Sequence, residues 1–189
     1  KSIPESMINM ESFWQHAIAC GLIARELASQ KENLDPEKFF TAGMLHDIGQ
    51  VILCTKLPLL SMKILLDLQS QNEQIDILEN EELDFDHAEL GAKLLKKWNL
   101  SDFHIEVTSF HHKPHQAPNY SFEASLIYFA DILADTMQLG SSGEKPVSSN
   151  LEEETWENLN FSEQISLFEL KGKIAEAYDE TLSLFLQTT

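Results

Sequence analysis

Seven ionisable side chains, most of them in or beside apolar helical patterns, have the types that ligate metal ions. They are His16, His46, Asp47, His87, His111, His112 and Asp131. Neutral imidazole and carboxylate suit Zn, Fe, Mn and Ni. The absence of paired thiolates argues against a zinc site built from cysteines. A carboxylate flanked by histidines can bridge two ions, which then activate a shared water for attack on phosphorus. The set therefore predicts a cofactor of one or two divalent transition-metal ions.

The most informative stretch is residues 39–50, Phe-Phe-Thr-Ala-Gly-Met-Leu-His-Asp-Ile-Gly-Gln, which predicts a buried helix ending near Gly49. Burial of His46 and Asp47 is unfavourable unless partners compensate. A local cap or a salt bridge would do so, as would a metal ion. For any one of these residues the ordinary interpretation is a hydrogen-bonded core group, and His104 and His115 receive only that interpretation.

The charge of the chain excludes some classes of binding partner. The net charge is −18, and Arg25 is the only arginine among 13 basic residues. Such a chain repels nucleic acid and anionic membrane, since both bind clustered Lys and Arg. Arginine is also the usual partner of phosphate and of buried carboxylates. Phosphate recognition by arginine is therefore nearly unavailable to this chain. Arginine salt bridges likewise cannot account for several buried acids at once.

Apolar residues recur at helical spacing along the whole chain, and no segment predicts a strand. We therefore predict an all-α fold, an HD-domain-like helical bundle. Asp35 and Asp86 are predicted N-caps, and Ser101 a third. Predicted helices cover residues 11–30, 36–49, a short turn after 51, 58–71, 72–82, 86–98, 102–112, 121–139, 151–159 and 162–187.

We predict three parts: a helical domain at 1–139, a Gly/Ser/Pro linker at 140–150, and acidic helices at 151–189 that pack on or extend the bundle. Cys20 and Cys54 fit reduced core positions of a cytoplasmic protein. Asp131 stands mid-helix, so it has no helix end to cap and is predicted to be a metal ligand. If it is, Asp131→Asn should reduce metal affinity and be neutral or stabilising without metal, since it removes repulsion with Asp47. If Asp131 is instead a structural hydrogen-bonding group, the substitution should destabilise the metal-free protein and leave metal content intact.

The order of His16, His46-Asp47 and Asp131 resembles the signature of the HD superfamily of metal-dependent phosphohydrolases. Three local motifs resemble the HDOD domain, the HD-related output domain of bacterial signalling proteins. These are Phe-Trp-Gln-His at 13–16, Phe-Thr-Ala-Gly-Met-Leu-His-Asp-Ile-Gly at 40–49, and Asp-His-Ala-Glu-Leu-Gly-Ala at 86–92 followed by Trp98. The pair His111-His112 and Tyr-Phe-Ala-Asp at 128–131 fit too, so the resemblance covers roughly residues 13–139.

The resemblance implies a compact helical bundle and a role in bacterial signal transduction beside other signalling proteins or domains. It places His16, His46, Asp47 and Asp131 at the core ligand positions of the superfamily. It matches His87, His111 and His112 to positions that hold a second ion in the related HD-GYP phosphodiesterases of cyclic di-GMP. HDOD domains usually carry a further helical half before the Phe-Trp motif, which we expect to be missing or to lie in a segment not shown.

Three departures from the HD-GYP pattern bear on activity. Gln50 replaces a lysine, Ser12 replaces an acid, and Lys-Pro-His-Gln-Ala-Pro at 113–118 replaces the Gly-Tyr-Pro motif. The first hypothesis is therefore a metal-binding regulatory domain without turnover. The second is a metal-dependent phosphohydrolase or phosphodiesterase that acts on a phosphorylated small molecule, with Asp47 as its catalytic residue. The third is a helical domain whose histidines and acids merely satisfy one another.

Overall fold

The computed structural model describes residues 8–71, 73–144, 155–157, 159–161 and 165–186. Those residues contain helices and no strand, as the all-α prediction requires. Two predicted segments, 151–159 and 162–187, fall partly outside the described residues. The helices are α1 (Met10–Ser29), α2 (Pro36–Leu45), α3 (Ile48–Lys56), α4 (Pro58–Ser70), α5 (Ile75–Leu83), α6 (His87–Lys97), α7 (Asp102–Phe110), α8 (Ser121–Thr136) and α9 (Leu167–Leu186).

Helix α1 is the central element of the bundle. Its apolar positions are almost all buried, and it packs against α2, α8 and α9. The main core joins α1 and α8 to aromatic residues near the C-terminus, among them Trp156 and Phe161. Burying this much apolar surface is what fixes α1 and α8 relative to each other. The positions of His16 and Asp131 are set by the same packing.

The three predicted N-cap residues all lie at helix starts, and two of them form a side-chain capping bond. Asp35 accepts a hydrogen bond from the backbone N–H of Glu37 at 3.2 Å, and Asp86 accepts one from that of Glu89 at 2.9 Å. Ser101 occupies the predicted N-cap position of α7, but its side chain makes no such bond to the helix. Its hydroxyl instead contacts His104 Nδ1 at 2.9 Å, which gives that histidine an ordinary polar partner.

The largest difference from the predicted elements concerns residues 36–49, which form two helices where one was predicted. Helix α2 ends at Leu45 and α3 begins at Ile48, so His46 and Asp47 lie at the break. The break turns both side chains away from the helix axis and toward the interior. No helix of the described part of the chain is long and apolar enough to cross a bilayer.

A segment after α8 crosses the surface of α1. Residues 140–144 belong to the predicted linker, whose remaining residues lie outside the described ones. Gly140 has φ of +84°, and a Cβ there would lie 2.3 Å from the backbone nitrogen of His16. Ser141 donates its backbone N–H to the carbonyl of Ser12 at 3.1 Å. Only glycine combines this left-handed backbone with so close an approach to another helix.

Candidate metal centre

Five places along the chain supply the predicted ligands to one region of the interior. His16 lies on α1, His46 and Asp47 at the α2–α3 break, His87 at the start of α6, His111 and His112 just after α7, and Asp131 within α8. All seven are buried except His112, which is partly buried. The structure therefore brings together every residue that the sequence predicted as a ligand.

Two of the histidines are oriented by the helix ends they follow. His46 Nδ1 lies 2.7 Å from the carbonyl oxygen of Gly43, and His111 Nδ1 lies 2.7 Å from that of Thr108. Each ring donates to a carbonyl that the last helical turn leaves without an internal partner. Donation through Nδ1 fixes the tautomer and leaves the Nε2 lone pair free to bind a cation.

His87 is oriented by a buried carboxylate of α5. Glu79 Oε2 accepts from both the backbone N–H of His87 at 2.7 Å and its Nδ1–H at 2.6 Å. Glu79 is only 3% exposed, so this is an interior contact. The Nε2 atom of His87 again faces the cluster. A carboxylate behind a histidine is the usual way of orienting a metal-bound imidazole.

The ligand atoms fall into two groups, each compact enough for one ion. The first group is His16, Cys20, His46 and Asp131, and the second is Asp47, His87, His111 and His112; within each group the ligand atoms lie within 4.8 Å of one another. In the first group, His16 Nε2 is 2.9 Å from Asp131 Oδ1. In the second group, His87 Nε2 is 2.9 Å from His112 Nε2.

Asp47 connects the two groups. Its Oδ2 lies 3.3 Å from His46 Nε2, while its Oδ1 lies 3.3 Å from His87 Nε2 and 3.4 Å from His111 Nε2. Neither carboxylate oxygen has a hydrogen-bond partner of good geometry, although both are buried. The Nε2 atoms of His46 and His111 are likewise without one. Buried polar atoms are nearly always satisfied, so this concentration of unsatisfied atoms is one that could hold a cation.

The spacing of these atoms fits a shared ion. With metal–ligand bonds of about 2.1 Å, two ligand atoms on one ion are about 3.4 Å apart in a tetrahedral arrangement and about 3.0 Å apart in an octahedral one. The contacts of Asp47 with the three imidazoles range from 3.3 to 3.4 Å. These separations are long for hydrogen bonds and match the edges of a coordination polyhedron.

Without a cation, protons must balance the buried carboxylates. Burial disfavours protonation of His46 and His87, but the Asp47 charge beside His46 and the Glu79 charge beside His87 outweigh it and raise both pKa values. Burial likewise opposes ionisation of Asp47, yet the neighbouring imidazoles of His46, His111 and His87 hold its pKa well below the usual range. A metal ion would replace the imidazole protons, so its binding should release protons to solvent.

The structure adds four polar side chains to the predicted set. Cys20 Sγ lies 3.4 Å from His16 Nε2, and Asp135 Oδ1 lies 3.6 Å from His16 Nδ1. Burial, followed by the charge of Asp131, raises the pKa of Asp135 to about 7. The other two are Glu79 and Glu144, whose Oε1 is 3.6 Å from His87 Nε2. Cys20 and Asp135 stand four residues after His16 and Asp131, and this helical spacing is a signal that could have found them.

Among the described residues, arginine and lysine side chains pair with few of the buried carboxylates. The guanidinium of Arg25 lies over the Phe40 ring, 5.3 Å from its centroid. Two buried acids do have a lysine partner, since Lys113 Nζ lies 2.8 Å from Asp76 Oδ2 and 3.8 Å from Asp86 Oδ2. The sequence argument considered only arginine and did not anticipate these pairs. Because Lys113 follows His111 and His112 directly, its ion pair with Asp76 ties that histidine turn to α5.

Comparison with known proteins identifies the relatives of this arrangement. The HDOD domain family matches residues 1–114. A protein of Treponema pallidum without a described function is 29% identical over 125 residues, which cover 65% of this chain and 24% of that protein. The chain thus spans about a quarter of the length of this curated relative.

Two solved structures share the fold. An HDOD domain protein of unknown function from Geobacter sulfurreducens has a TM-score of 0.69 at 25% identity, covering 93% of this chain and 60% of that one. A protein of Shewanella amazonensis, provisionally named a phosphohydrolase, also has a TM-score of 0.69 at 25% identity, covering 87% and 58%. This chain is therefore shorter than either of them.

Proposed function

The chain belongs to the HDOD domain family, and on this premise we propose that it is a regulatory signalling domain with a dinuclear metal centre. The observation that carries the proposal is Asp47, whose two buried, unsatisfied oxygens face imidazole nitrogens of different groups. His16, His46 and Asp131 would hold one divalent transition-metal ion, and His87, His111 and His112 the other. Asp47 would bridge them. Bound ions of this kind supply Lewis-acid chemistry and a nucleophilic water.

Two features support a regulatory role over turnover. The net charge of −18 disfavours approach of a phosphorylated anion. Gln50, at the position where related phosphodiesterases carry a lysine, donates its amide to Glu144 at 2.8 Å and provides no cation. The partners we propose are other signalling proteins or domains, recognised without nucleic acid or membrane. The metal centre would then stabilise the conformation that the partner binds.

Metal content tests this proposal. The protein is purified without a His-tag or chelator, loaded with Fe, Mn or Zn, desalted and analysed for elements. The proposal predicts about two equivalents in at least one of these metals. Less than about a tenth of an equivalent with all three would leave the buried histidines and acids as a self-satisfied core, which is the third hypothesis.

The second candidate is a metal-dependent phosphohydrolase or phosphodiesterase. The observation in its favour is that all seven predicted ligands converge, with both groups complete. The similarity to the Shewanella protein points the same way. In this case Asp47 would be the catalytic residue, since it alone faces both groups. Robust turnover of a generic phosphodiester such as bis(p-nitrophenyl) phosphate by metal-loaded protein, absent from Asp47→Asn, would favour this candidate.

We expect no efficient hydrolysis of cyclic di-GMP by the metal-loaded protein. The substrate is a dianion, and Gln50 supplies no positive charge to position it. Chromatographic detection of linear product checks this expectation, with metal-free protein as the control. Metal-dependent turnover that persists over many substrate equivalents would contradict it.

Asp131→Asn is expected to weaken metal binding and also to destabilise the metal-free protein. Asp131 Oδ1 accepts from His16 Nε2 at 2.9 Å in the interior. A buried charged hydrogen bond of this kind contributes about 1.5–3 kcal/mol. The sequence argument set a neutral or stabilising effect, for a ligand, against destabilisation with intact metal content, for a hydrogen-bonding group. The contact with His16 gives Asp131 the hydrogen bond of the second alternative in addition to its place in the first group. Urea denaturation of both proteins in chelator measures the stability, and unchanged stability with full metal content would contradict both roles.

A further inference from the structure

Glu144 lies at the edge of the second group, although it comes from a segment with no predicted function. Its Oε1 lies 3.6 Å from His87 Nε2 and 3.7 Å from His112 Nε2. The same oxygen accepts a hydrogen bond from the side-chain amide of Gln50 at 2.8 Å. The Glu144 side chain is 15% exposed. Among the described residues, no lysine or arginine lies within ion-pair distance of its carboxylate.

Contacts of residues 140–143 with the bundle hold the Glu144 carboxylate in place. Gly140 passes against α1 in a left-handed conformation, and Ser141 hydrogen-bonds the carbonyl of Ser12. Ser142 is 1% exposed, and the backbone N–H of Gly143 donates to Ser141 Oγ at 3.1 Å. These contacts fix residues 140–143 against the bundle directly before Glu144. The carboxylate therefore reaches the cluster from an anchored segment of chain.

Gln50 supplies the second anchor, through its hydrogen bond to Glu144 Oε1. It lies in the first turn of α3, three residues after Asp47, and is only 2% exposed. A neutral amide donor there orients a carboxylate without neutralising it. The Glu144 carboxylate is therefore held facing the Nε2 atoms of His87 and His112, at 3.6 and 3.7 Å.

We propose that Glu144 is a further ligand of the second metal ion and fills the position that inorganic phosphate or a phosphate monoester would take. The inference rests on the proposed metal centre and extends it to the regulation of access. His87 and His112 would share one ion with Glu144, since Glu144 Oε1 lies 3.6–3.7 Å from both nitrogens. A carboxylate of the chain then competes with external oxyanions. The domain keeps its metals and excludes phosphoryl ligands.

The test compares Mn²⁺-loaded wild type with Glu144→Ala and the isosteric Glu144→Gln. Glu81→Ala, which removes an exposed acid from α5, is the matched control. Three quantities are measured: the Mn²⁺ dissociation constants, the water-proton relaxation enhancement for each bound Mn²⁺, and the affinity for inorganic phosphate. Glu144→Ala should weaken the second Mn²⁺ by about tenfold or more. It should also raise the relaxation enhancement and tighten phosphate binding by about tenfold, the gain expected when a competing internal ligand is removed.

The two proposals fail in different ways. If wild type and both Glu144 variants bind two Mn²⁺ with equal affinity, equal relaxation enhancement and equal phosphate affinity, the role of Glu144 is overturned and the metal centre stands. If none of the proteins binds Mn²⁺, the metal centre fails and Glu144 with it. Glu144→Gln guards against misfolding, because it keeps the shape of the side chain and a hydrogen bond to Gln50. Effects in Glu144→Gln of the same sign as those in Glu144→Ala support the proposal.

Discussion

Replacing Asp47 with asparagine is expected to abolish stable binding of both metal ions, lowering each affinity by at least about 100-fold. Removal of an outer carboxylate behind a metal-binding histidine already costs 10–100-fold, and Asp47 contacts the ligand atoms of both groups directly. The amide keeps the size of the side chain but removes the charge and one acceptor oxygen. Titration of chelator-treated protein with Mn²⁺ or Zn²⁺ measures both affinities.

The matched control for this substitution is Asp84→Asn. Asp84 is exposed, follows α5 and has φ of +60°, a conformation that asparagine adopts readily. It should therefore leave metal affinity and stability unchanged. Asp131→Asn gives a second comparison, because it removes a ligand of the first group only. Retention of two equivalents by Asp47→Asn would exclude a bridging role for Asp47.

Gly49→Ala is expected to destabilise the protein by at least about 3 kcal/mol, beyond the usual cost of overpacking a core. A Cβ at residue 49 would lie 1.9 Å from the carbonyl oxygen of His87 and 2.9 Å from the backbone nitrogen of Gly91. Both atoms belong to backbone, so no side-chain rotation can relieve the collision. Helices α3 and α6 must separate, and the separation moves His87 away from Asp47. Urea denaturation and metal titration should therefore both register the substitution.

Substitutions at two other glycines serve as controls for the loss of stability expected in Gly49→Ala. At Gly91 the nearest neighbour of an added Cβ is the Thr108 methyl group at 3.2 Å, which can shift slightly, so Gly91→Ala should cost much less. At Gly172 on α9 nothing lies within 4 Å. Gly172→Ala should stabilise the helix by up to about 1 kcal/mol through helix propensity. Equal stability of Gly49→Ala and wild type would mean that α3 and α6 do not meet as closely as the structure has them.

The positions of the helices could be predicted well from sequence because each depends on local signals. Apolar spacing placed α1 and α8, and Asp35 and Asp86 were correctly predicted as caps. The break at His46 and Asp47 was not predicted. The local sequence 39–49 favours a continuous helix. The break accompanies a local bond from the His46 ring to the Gly43 carbonyl, three residues earlier, and a tertiary contact of Gly49 with α6.

The seven residues that cluster could be predicted because histidines and aspartates are conspicuous on apolar faces, and the resemblance supplied their order. The two glutamates that contact His87, Glu79 and Glu144, could not be predicted from the sequence. Glu79 stands among several acids in one segment, and nothing in that segment distinguishes the one that turns inward to His87. Glu144 stands among Gly, Ser and Pro residues typical of a linker. Only the path of the chain over α1 brings it to His87 and His112. Such contacts depend on long-range packing, which sequence spacing does not encode.

The central claim, a pair of ions that share Asp47, is tested most directly by electron paramagnetic resonance of metal-free protein titrated with Mn²⁺. The account predicts that the spectrum at two equivalents is that of a spin-coupled pair, and that Asp47→Asn abolishes the coupling. A carboxylate that contacts both ions is the route for such coupling. A spectrum of isolated Mn²⁺ that grows in proportion to added metal up to two equivalents, or the absence of tight binding, would contradict the account.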